Sequence, residues 1–211
     1  MYLGTLISCK TYVFNGSVES ENVADALTWL SNHSNQPEVT ILLNTLGGSV
    51  HQGVALFDAI QLLRDKVKIN IVAMGACQSA GTIILMGAYP ERRFSAPNTR
   101  FMIHPPRVTM GDNKCTAWGT PPSAELLEIM DQMAGHSYSE TYALREHLLD
   151  LMVANTKLSR DEAEAAYDAT TYFHPEKALG MGFIGSILEP DLPAVPAPAI
   201  PPKKWWQRRS K

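Results

Sequence analysis

Ser79 has the surroundings most suggestive of reactive chemistry in this 211-residue sequence. It lies in "VAMGACQSAGTIILMGA" (72–88), between an apolar run typical of a strand and a second one typical of a buried helix. A hydroxyl at such a junction lies beside free backbone N–H groups at the positive end of the helix. That setting suits a serine nucleophile, because an oxyanion forms next to it during acyl transfer. The alternative is a helix-capping serine, which is the better interpretation of this segment alone.

Two further positions carry the groups that a serine nucleophile needs. Gly47 and Gly48 in "NTLGGSV" follow another strand-like run, and they let the backbone come close to a ligand and aim N–H groups at it. His104 ends the run "RFMIH" before two prolines, a position from which an imidazole can reach a cleft. Taken singly, these residues are better interpreted as a tight turn and a partly buried structural histidine.

The elements around these residues predict that they meet. Apolar, β-branched runs alternate with segments that have apolar residues at helical spacing, which is typical of parallel βα units. Because the strands of such units end at one edge of the sheet, we expect Gly47-Gly48, Ser79 and His104 to converge as oxyanion hole, nucleophile and base. Strands are predicted within 11–18, 38–44, 67–74 and, as a pair, 92–104, with helices opening near Ser20, Val50 and Ser79.

The second half of the sequence departs from this alternation. Residues 105–122 are rich in turn formers and predict a loop or an irregular hairpin. A long helix is predicted from about 123 to 155, with a bend at Gly135. A capping box at 159–162 opens another helix, and a short helix, a glycine stop and a final strand are predicted within 174–188.

The composition indicates the class of protein and argues against several classes of function. With 45% hydrophobic residues, 18% charged residues and a net charge of −3, the chain predicts one globular domain, 1–189, and gives no hint of a nucleic-acid partner. Residues 190–211 are Pro-rich and end in a basic stretch, so we expect a disordered tail. The three cysteines form no metal-ligand pattern, which favours a reducing compartment such as the cytoplasm and no metal or cofactor. We expect no membrane segment, because no apolar run approaches ~20 residues, and no secretory signal.

Four segments, in order and spacing, resemble the ClpP family of serine peptidases, the proteolytic subunits of Clp proteases. They are "LNTLGGSVHQGVALFDAIQ", "GACQSAGTIILMGA", "RRFSAPNTRFMIHPP" and "YFHPEKALGMGFIGSIL". The resemblance covers roughly residues 10 to 188. It implies an α/β, crotonase-like fold of repeated ββα units with a long handle helix from Ser123.

The resemblance also implies roles and partners. Ser79 would be the nucleophile and His104 the general base, while the N–H groups of Gly48 (or Gly47) and Ala80 would form the oxyanion hole. Subunits of this family stack as heptameric rings around a chamber, so we expect a homo-oligomer that cleaves peptides or unfolded proteins. The N-terminal segment that contacts an AAA+ ATPase in the family is shortened or absent here, which puts such a partner in doubt.

The sequence departs from the family at the third catalytic residue. Alignment on the last segment places Thr170 where the family has an Asp, and the nearest carboxylate is Asp168. That Asp holds the histidine tautomer and stabilises the imidazolium, and its loss can cost ~10⁴ in rate. Three interpretations stay open: a Ser-His pair oriented by Thr170, a local shift that brings Asp168 to the ring, or a weakly active or inactive subunit.

Three functions therefore follow as alternatives. The first is a ring-forming serine endopeptidase, for which a standalone phage-type maturation protease is a variant that suits the N-terminus. The second is a non-catalytic structural or regulatory ring member, motivated by the missing Asp. The third is an acyl-CoA enzyme of the crotonase superfamily, which the pairing of Ser79 with His104 disfavours.

Overall fold

The structure is a computed structural model that describes residues 3–7, 10–110, 113–116, 123–134 and 138–189. The predicted tail, 190–211, and the predicted bend at Gly135 lie outside the described residues. Among the helices of the described ranges, none is both long enough and apolar enough to cross a bilayer.

Strands and helices alternate through the first half of the chain, as the sequence predicts. The strands are β1 (Lys10–Asn15), β2 (Glu38–Thr45), β3 (Lys68–Gln78), β4 (Arg93–Ser95), β5 (Arg100–Ile103), β6 (Arg107–Met110), β7 (Asn113–Thr116), β8 (Thr171–Phe173) and β9 (Ser186–Ile187). The α-helices are α1 (Leu3–Leu6), α2 (Ser20–Asn32), α3 (Val50–Leu63), α4 (Ala80–Met86), α5 (Ala124–Ala134), α6 (Tyr138–Asn155), α7 (Arg160–Asp168) and α8 (Pro175–Met181). A 3-10 turn, Pro90–Arg92, precedes β4.

A mostly parallel sheet carries the fold, with strand order β1-β2-β3-β4-β9. The long strand β3 has two neighbours on one side, because its middle pairs with β4 and its last residues pair with β5. Gln78 is thereby opposite Met102, and Ser79 and His104, which follow the ends of β3 and β5, lie at the same edge of the sheet. The predicted convergence of strand ends is confirmed.

Strand β8 was not predicted, and it bears directly on the site. It runs antiparallel to β5 with Thr171 opposite Ile103. Three residues are too few for a sequence pattern to show, and β8 exists because it completes the ladder on the free edge of β5. Thr170 and His104 are therefore the chain neighbours of this last pair.

Helix α4, which follows Ser79, is fully buried and packs closely against its neighbours. All seven of its residues are buried, as the apolar run after Ser79 predicts. A Cβ on Gly81 would lie 2.4 Å from the Thr45 side chain, and one on Gly53 of α3 would lie 3.2 Å from the Ala80 side chain. Glycine at these two positions is what lets α4 pack this closely against β2 and α3.

Arg93 joins the ends of two helices from inside the core. Its guanidinium donates to the carbonyl oxygens of Ala88 at 2.7 Å, Met86 at 2.9 Å and Asn155 at 2.6 Å. These carbonyls lie at the C-termini of α4 and α6, where a cation is favourable. Burial lowers the pKa of Arg93 to about 10, so the side chain stays charged at neutral pH.

Most local predictions of the second half are also confirmed. Strands β6 and β7 pair antiparallel, the capping box of Ser159 and Glu162 opens α7, and Gly182 ends α8 with φ +83°. The sequence pattern predicts Ser20 as the N-cap of α2, but Ser20 is its first helical residue and Glu19 is the N-cap. The predicted long helix is present as α5 and α6 on either side of 135–137.

Candidate active site

Ser79 has a backbone conformation that non-glycine residues rarely adopt. Its φ of +53° and ψ of −124° turn the chain sharply from β3 into α4. Its N–H donates to Met102 O at 2.8 Å, and its own carbonyl accepts from Thr82 N at 2.9 Å. Ser79 occupies the N-cap position of α4, but its side chain makes no capping hydrogen bond. Such strain costs about 1–3 kcal/mol and persists where surrounding contacts enforce it.

His104 lies beside the Ser79 hydroxyl. Its Nε2 is 2.8 Å from Ser79 Oγ, a hydrogen-bond distance. The pairing of β5 with the end of β3 produces this contact, because it fixes the residues just after Gln78 and Ile103 next to each other. A nucleophile and a base in this relation are the arrangement that proton abstraction from a serine requires.

Gly47 and Gly48 approach Ser79 from the neighbouring β2–α3 turn, with φ values of +102° and +153°. A Cβ on Gly47 would lie 2.6 Å from Ser79 Cβ, so no larger residue fits there. The Gly47 N–H already donates to Thr45 Oγ1 at 3.0 Å. The N–H groups of Gly48 and Ala80 donate to no described residue. The geometry therefore favours Gly48 over Gly47 as the partner of Ala80 in an oxyanion hole.

A cavity of about 510 Å³ opens at the two side chains. Its lining is mixed. Polar side chains come from Ser49, His51, Thr82, Arg107, Glu140, Thr141 and Tyr167, and apolar ones include Ile83, Met86, Ile103, Leu144, Leu148 and Met152. Such a cavity suits an apolar side chain held next to the reacting serine.

The other ring nitrogen of His104 is unsupported. Nδ1 is buried and has no hydrogen-bond partner among the described residues. For Nε2 to accept the serine proton, Nδ1 must carry the ring hydrogen, and this tautomer leaves a buried donor unpaired. An unsatisfied buried polar group costs about 1–3 kcal/mol. His104 is therefore within hydrogen-bond distance of Ser79, but no described residue stabilises the tautomer that proton abstraction would need.

The charge environment of His104 also opposes the imidazolium. Burial, and then the positive charge of Arg107, lower the pKa of His104 below its usual 6.5. The Pro105 backbone raises the pKa of His104 by less than the other two effects lower it, and it forms no hydrogen bond with Nδ1. No carboxylate contributes to this pKa, although a third catalytic acid would raise it.

Thr170 and His104 each adjoin the last pair of the β5–β8 ladder, Ile103 with Thr171. The φ of Thr170 is +52°, a strained value for a β-branched residue. Neither the Thr170 nor the Asp168 side chain hydrogen-bonds to Nδ1, so the contact expected from one of them is absent. The reason is plain for Asp168, because the Arg145 guanidinium binds both of its carboxylate oxygens, at 3.2 and 2.8 Å.

Arg145 was not predicted from the sequence. It lies on α6 with only 2% of its side chain exposed, on the face that also buries Thr141 and Leu148. An arginine one turn after Thr141 and three residues before Leu148 on a core-facing stripe was the available signal. Its pairing with Asp168 could not be predicted, because it joins helices through residues that are 23 positions apart in sequence.

Comparison with known proteins identifies the family. The Clp protease family model matches residues 12–191, and the chain belongs to that family. A curated relative is "ATP-dependent Clp protease proteolytic subunit 1" of Chlamydia abortus, 27% identical, with 87% of this chain and 88% of the relative covered. Another is the chloroplastic proteolytic subunit 4 of Arabidopsis thaliana, 27% identical, with 98% of this chain and 66% of the relative covered.

Solved structures give the same result for the fold. ClpP1 from Listeria monocytogenes superposes with a TM-score of 0.69 at 26% identity, covering 88% of this chain and 95% of that chain. A point mutant of the same Listeria protein gives a TM-score of 0.68 with the same identity and coverage. The expected ClpP-like, crotonase-like α/β fold is thus confirmed, as is the resemblance to this family.

Proposed function

We propose that this protein is a serine peptidase that forms its acyl intermediate on Ser79, with His104 as general base. The observation that carries the proposal is the 2.8 Å contact between His104 Nε2 and the hydroxyl of a strained serine. Ser79 Oγ attacks the peptide carbonyl carbon while its proton passes to Nε2, and the N–H groups of Gly48 and Ala80 stabilise the oxyanion. Nε2 then protonates the leaving amine, and water hydrolyses the acyl ester by the same steps.

The substrate is a peptide or an unfolded protein with an apolar side chain next to the scissile bond. The apolar side chains of Ile83, Met86, Leu144, Leu148 and Met152, which line the same cavity as Ser79, support this part of the proposal. We expect a homo-oligomer of stacked rings that encloses the sites, as the relatives' description as proteolytic subunits suggests. The names of these relatives include ATP dependence, so an AAA+ ATPase is a partner to test.

We place the protein in a reducing compartment such as the cytoplasm. Support comes from its odd number of cysteines and from Cys77, which is buried and unpaired. Burial strongly raises the pKa of the Cys77 thiol, so it is not a competing nucleophile.

A second candidate function is a weakly active or inactive subunit. The observation that favours it is the unsupported Nδ1 of His104 together with the engagement of Asp168 by Arg145. Such a subunit would assemble with the same geometry but turn substrate over slowly or not at all.

Turnover of a fluorogenic peptide with a leucine or methionine before the cleaved bond decides between them. Wild type and Ser34→Ala, a change at a serine after α2 and away from the site, should cleave it at equal rates, and Ser79→Ala should not. If the assembled wild type is no faster than Ser79→Ala, the peptidase proposal fails and the inactive subunit stands.

A further inference from the structure

An ion pair between a buried arginine and a partly buried aspartate joins α6 to the end of α7. Arg145 of α6 binds Asp168 through two parallel N–H···O contacts, from Nε at 3.2 Å and from Nη2 at 2.8 Å. This two-point geometry fixes the direction of the carboxylate as well as its distance. The Arg145 side chain is 2% exposed and that of Asp168 is 26% exposed.

Asp168 begins the turn that leads into β8, the strand paired with β5 just before His104. Helix α7 ends at Asp168, and Thr171, three residues later, pairs with Ile103, the residue before His104. Ala169 N donates to Ala165 O at 3.3 Å, and Thr170 N donates to Tyr167 O at 3.1 Å. These backbone contacts end the helix, but the left-handed φ of +52° at Thr170 needs further restraint.

Arg145 also connects this turn with the wall of the cavity. Its neighbour Leu144 and the next turn of α6, at Leu148, line the cavity in which Ser79 lies. By contrast, the other large buried arginine, Arg93, binds carbonyl oxygens that end helices. The difference in partners indicates a difference in role.

We propose that Arg145 is a positioning residue for the base, which it serves by binding Asp168 and so holding the Asp168–Thr170 turn against His104. This rests on the proposed peptidase function. Arg145 contacts no reacting atom, and its effect reaches the imidazole through the turn.

The first test measures the stability of the Asp168–Thr170 turn and does not depend on enzymatic activity. Hydrogen exchange of the Ala169 and Thr170 amides should be faster in Arg145→Met than in wild type. Arg160→Met is the matched control, because Arg160 also pairs with carboxylates on α6 and α7 but lies at the far end of α7. Unchanged exchange at both amides in Arg145→Met would overturn the proposal, whatever the protein's activity.

The second test separates positioning from stability. Arg145→Met should lower kcat per labelled Ser79 by about 10- to 100-fold, since a misplaced catalytic group has effects of that size. KM should change by less than about two-fold, because the cavity lining is kept. Arg145→Lys, which keeps the charge but not the two-point contact, should restore part of kcat. A lower melting temperature with kcat unchanged would contradict the proposal.

A double-mutant cycle tests the route of the effect. Asp168→Asn should lower kcat as Arg145→Met does, and the double variant should be no worse than the poorer single variant, because both remove the Arg145–Asp168 contact; Arg145→Met also removes the contact of Arg145 with Glu146. Additive losses would contradict the proposal, and so would a rise in kcat in Arg145→Met. If turnover does not depend on Ser79, the proposed peptidase function is wrong. The hydrogen-exchange measurement then tests by itself whether Arg145 holds the Asp168–Thr170 turn.

Discussion

The surroundings of Ser79 and those of the far ring nitrogen of His104 differ in how closely they constrain the side chain. On the nucleophile side, Gly47 leaves no space for a Cβ, Ser79 is held in a strained turn, and the N–H groups of Gly48 and Ala80 are unused by described residues. On the other side, Nδ1 of His104 is buried without a partner among the described residues. Among the described residues, close contacts constrain Ser79, whereas no hydrogen bond holds Nδ1 of His104.

This difference teaches where catalysis can be tuned in such a fold. The nucleophile side is fixed by close packing, so a change there destroys the geometry. The base side has a ring nitrogen without a partner among the described residues, so a change there can either weaken or improve it. Substitutions around Ser79 should therefore have larger effects on activity than substitutions around His104 Nδ1.

Gly47→Ala should have the largest effect. The new Cβ would lie 2.6 Å from Ser79 Cβ, and a φ of +102° is strained for alanine. Displacement of the nucleophile by about 1 Å is expected to lower kcat/KM by about 100-fold or more. Peptide turnover and melting temperature measure it.

The matched control is Gly180→Ala on α8, where a Cβ would meet nothing within 4 Å. It should keep full activity and gain about 0.5–1 kcal/mol in unfolding free energy. Full activity in Gly47→Ala would show that the nucleophile side is not as constrained as its packing indicates.

Thr170→Asp should raise activity. Aspartate accepts a left-handed backbone more readily than threonine, and a carboxylate opposite His104 can pair with Nδ1 and stabilise the imidazolium. We expect kcat to rise by about 10-fold, a part of the ~10⁴ that the acid supplies in a triad built around it. Thr170→Asn separates hydrogen bonding from charge and should gain less. Equal or lower kcat in both variants would mean that Nδ1 is supported in another way.

The pH profile should report the environment of His104. Because the imidazolium is disfavoured, the basic form persists to lower pH, and the rising limb of kcat/KM should have its midpoint below 6.5. Arg107→Gln removes a cation near the ring and should move that midpoint to higher pH. A midpoint above 6.5 in wild type would indicate a carboxylate close to the ring.

Ser159→Ala should affect stability alone. It removes the capping box of α7, the helix that leads to the turn, and should cost about 1 kcal/mol of unfolding free energy. Since Arg145 and β8 hold the other end of α7, kcat should stay within about two-fold of wild type. Urea denaturation measures the free energy of unfolding, and peptide turnover measures kcat. A large fall in kcat would show that the position of His104 depends on the stability of the whole of α7.

The sequence was informative where a local pattern determines the structure. The strand and helix periods predicted the convergence of Gly48, Ser79 and His104, because parallel strands end at one edge. They did not show β8, which is three residues long, or the pair of Arg145 and Asp168, which joins two helices. Support for Nδ1 depends on these long-range contacts, so the contact expected from Thr170 or Asp168 could not be tested before the structure.

Covalent labelling by a fluorophosphonate probe, read by intact mass and peptide mapping, tests the central claim most directly. We predict one adduct per subunit on Ser79 in the assembled wild type, none in Ser79→Ala, and labelling slowed by about 10²–10⁴ in His104→Ala because the general base is lost. An assembled wild type that takes no label on Ser79, or that is labelled equally fast without His104, would contradict the account.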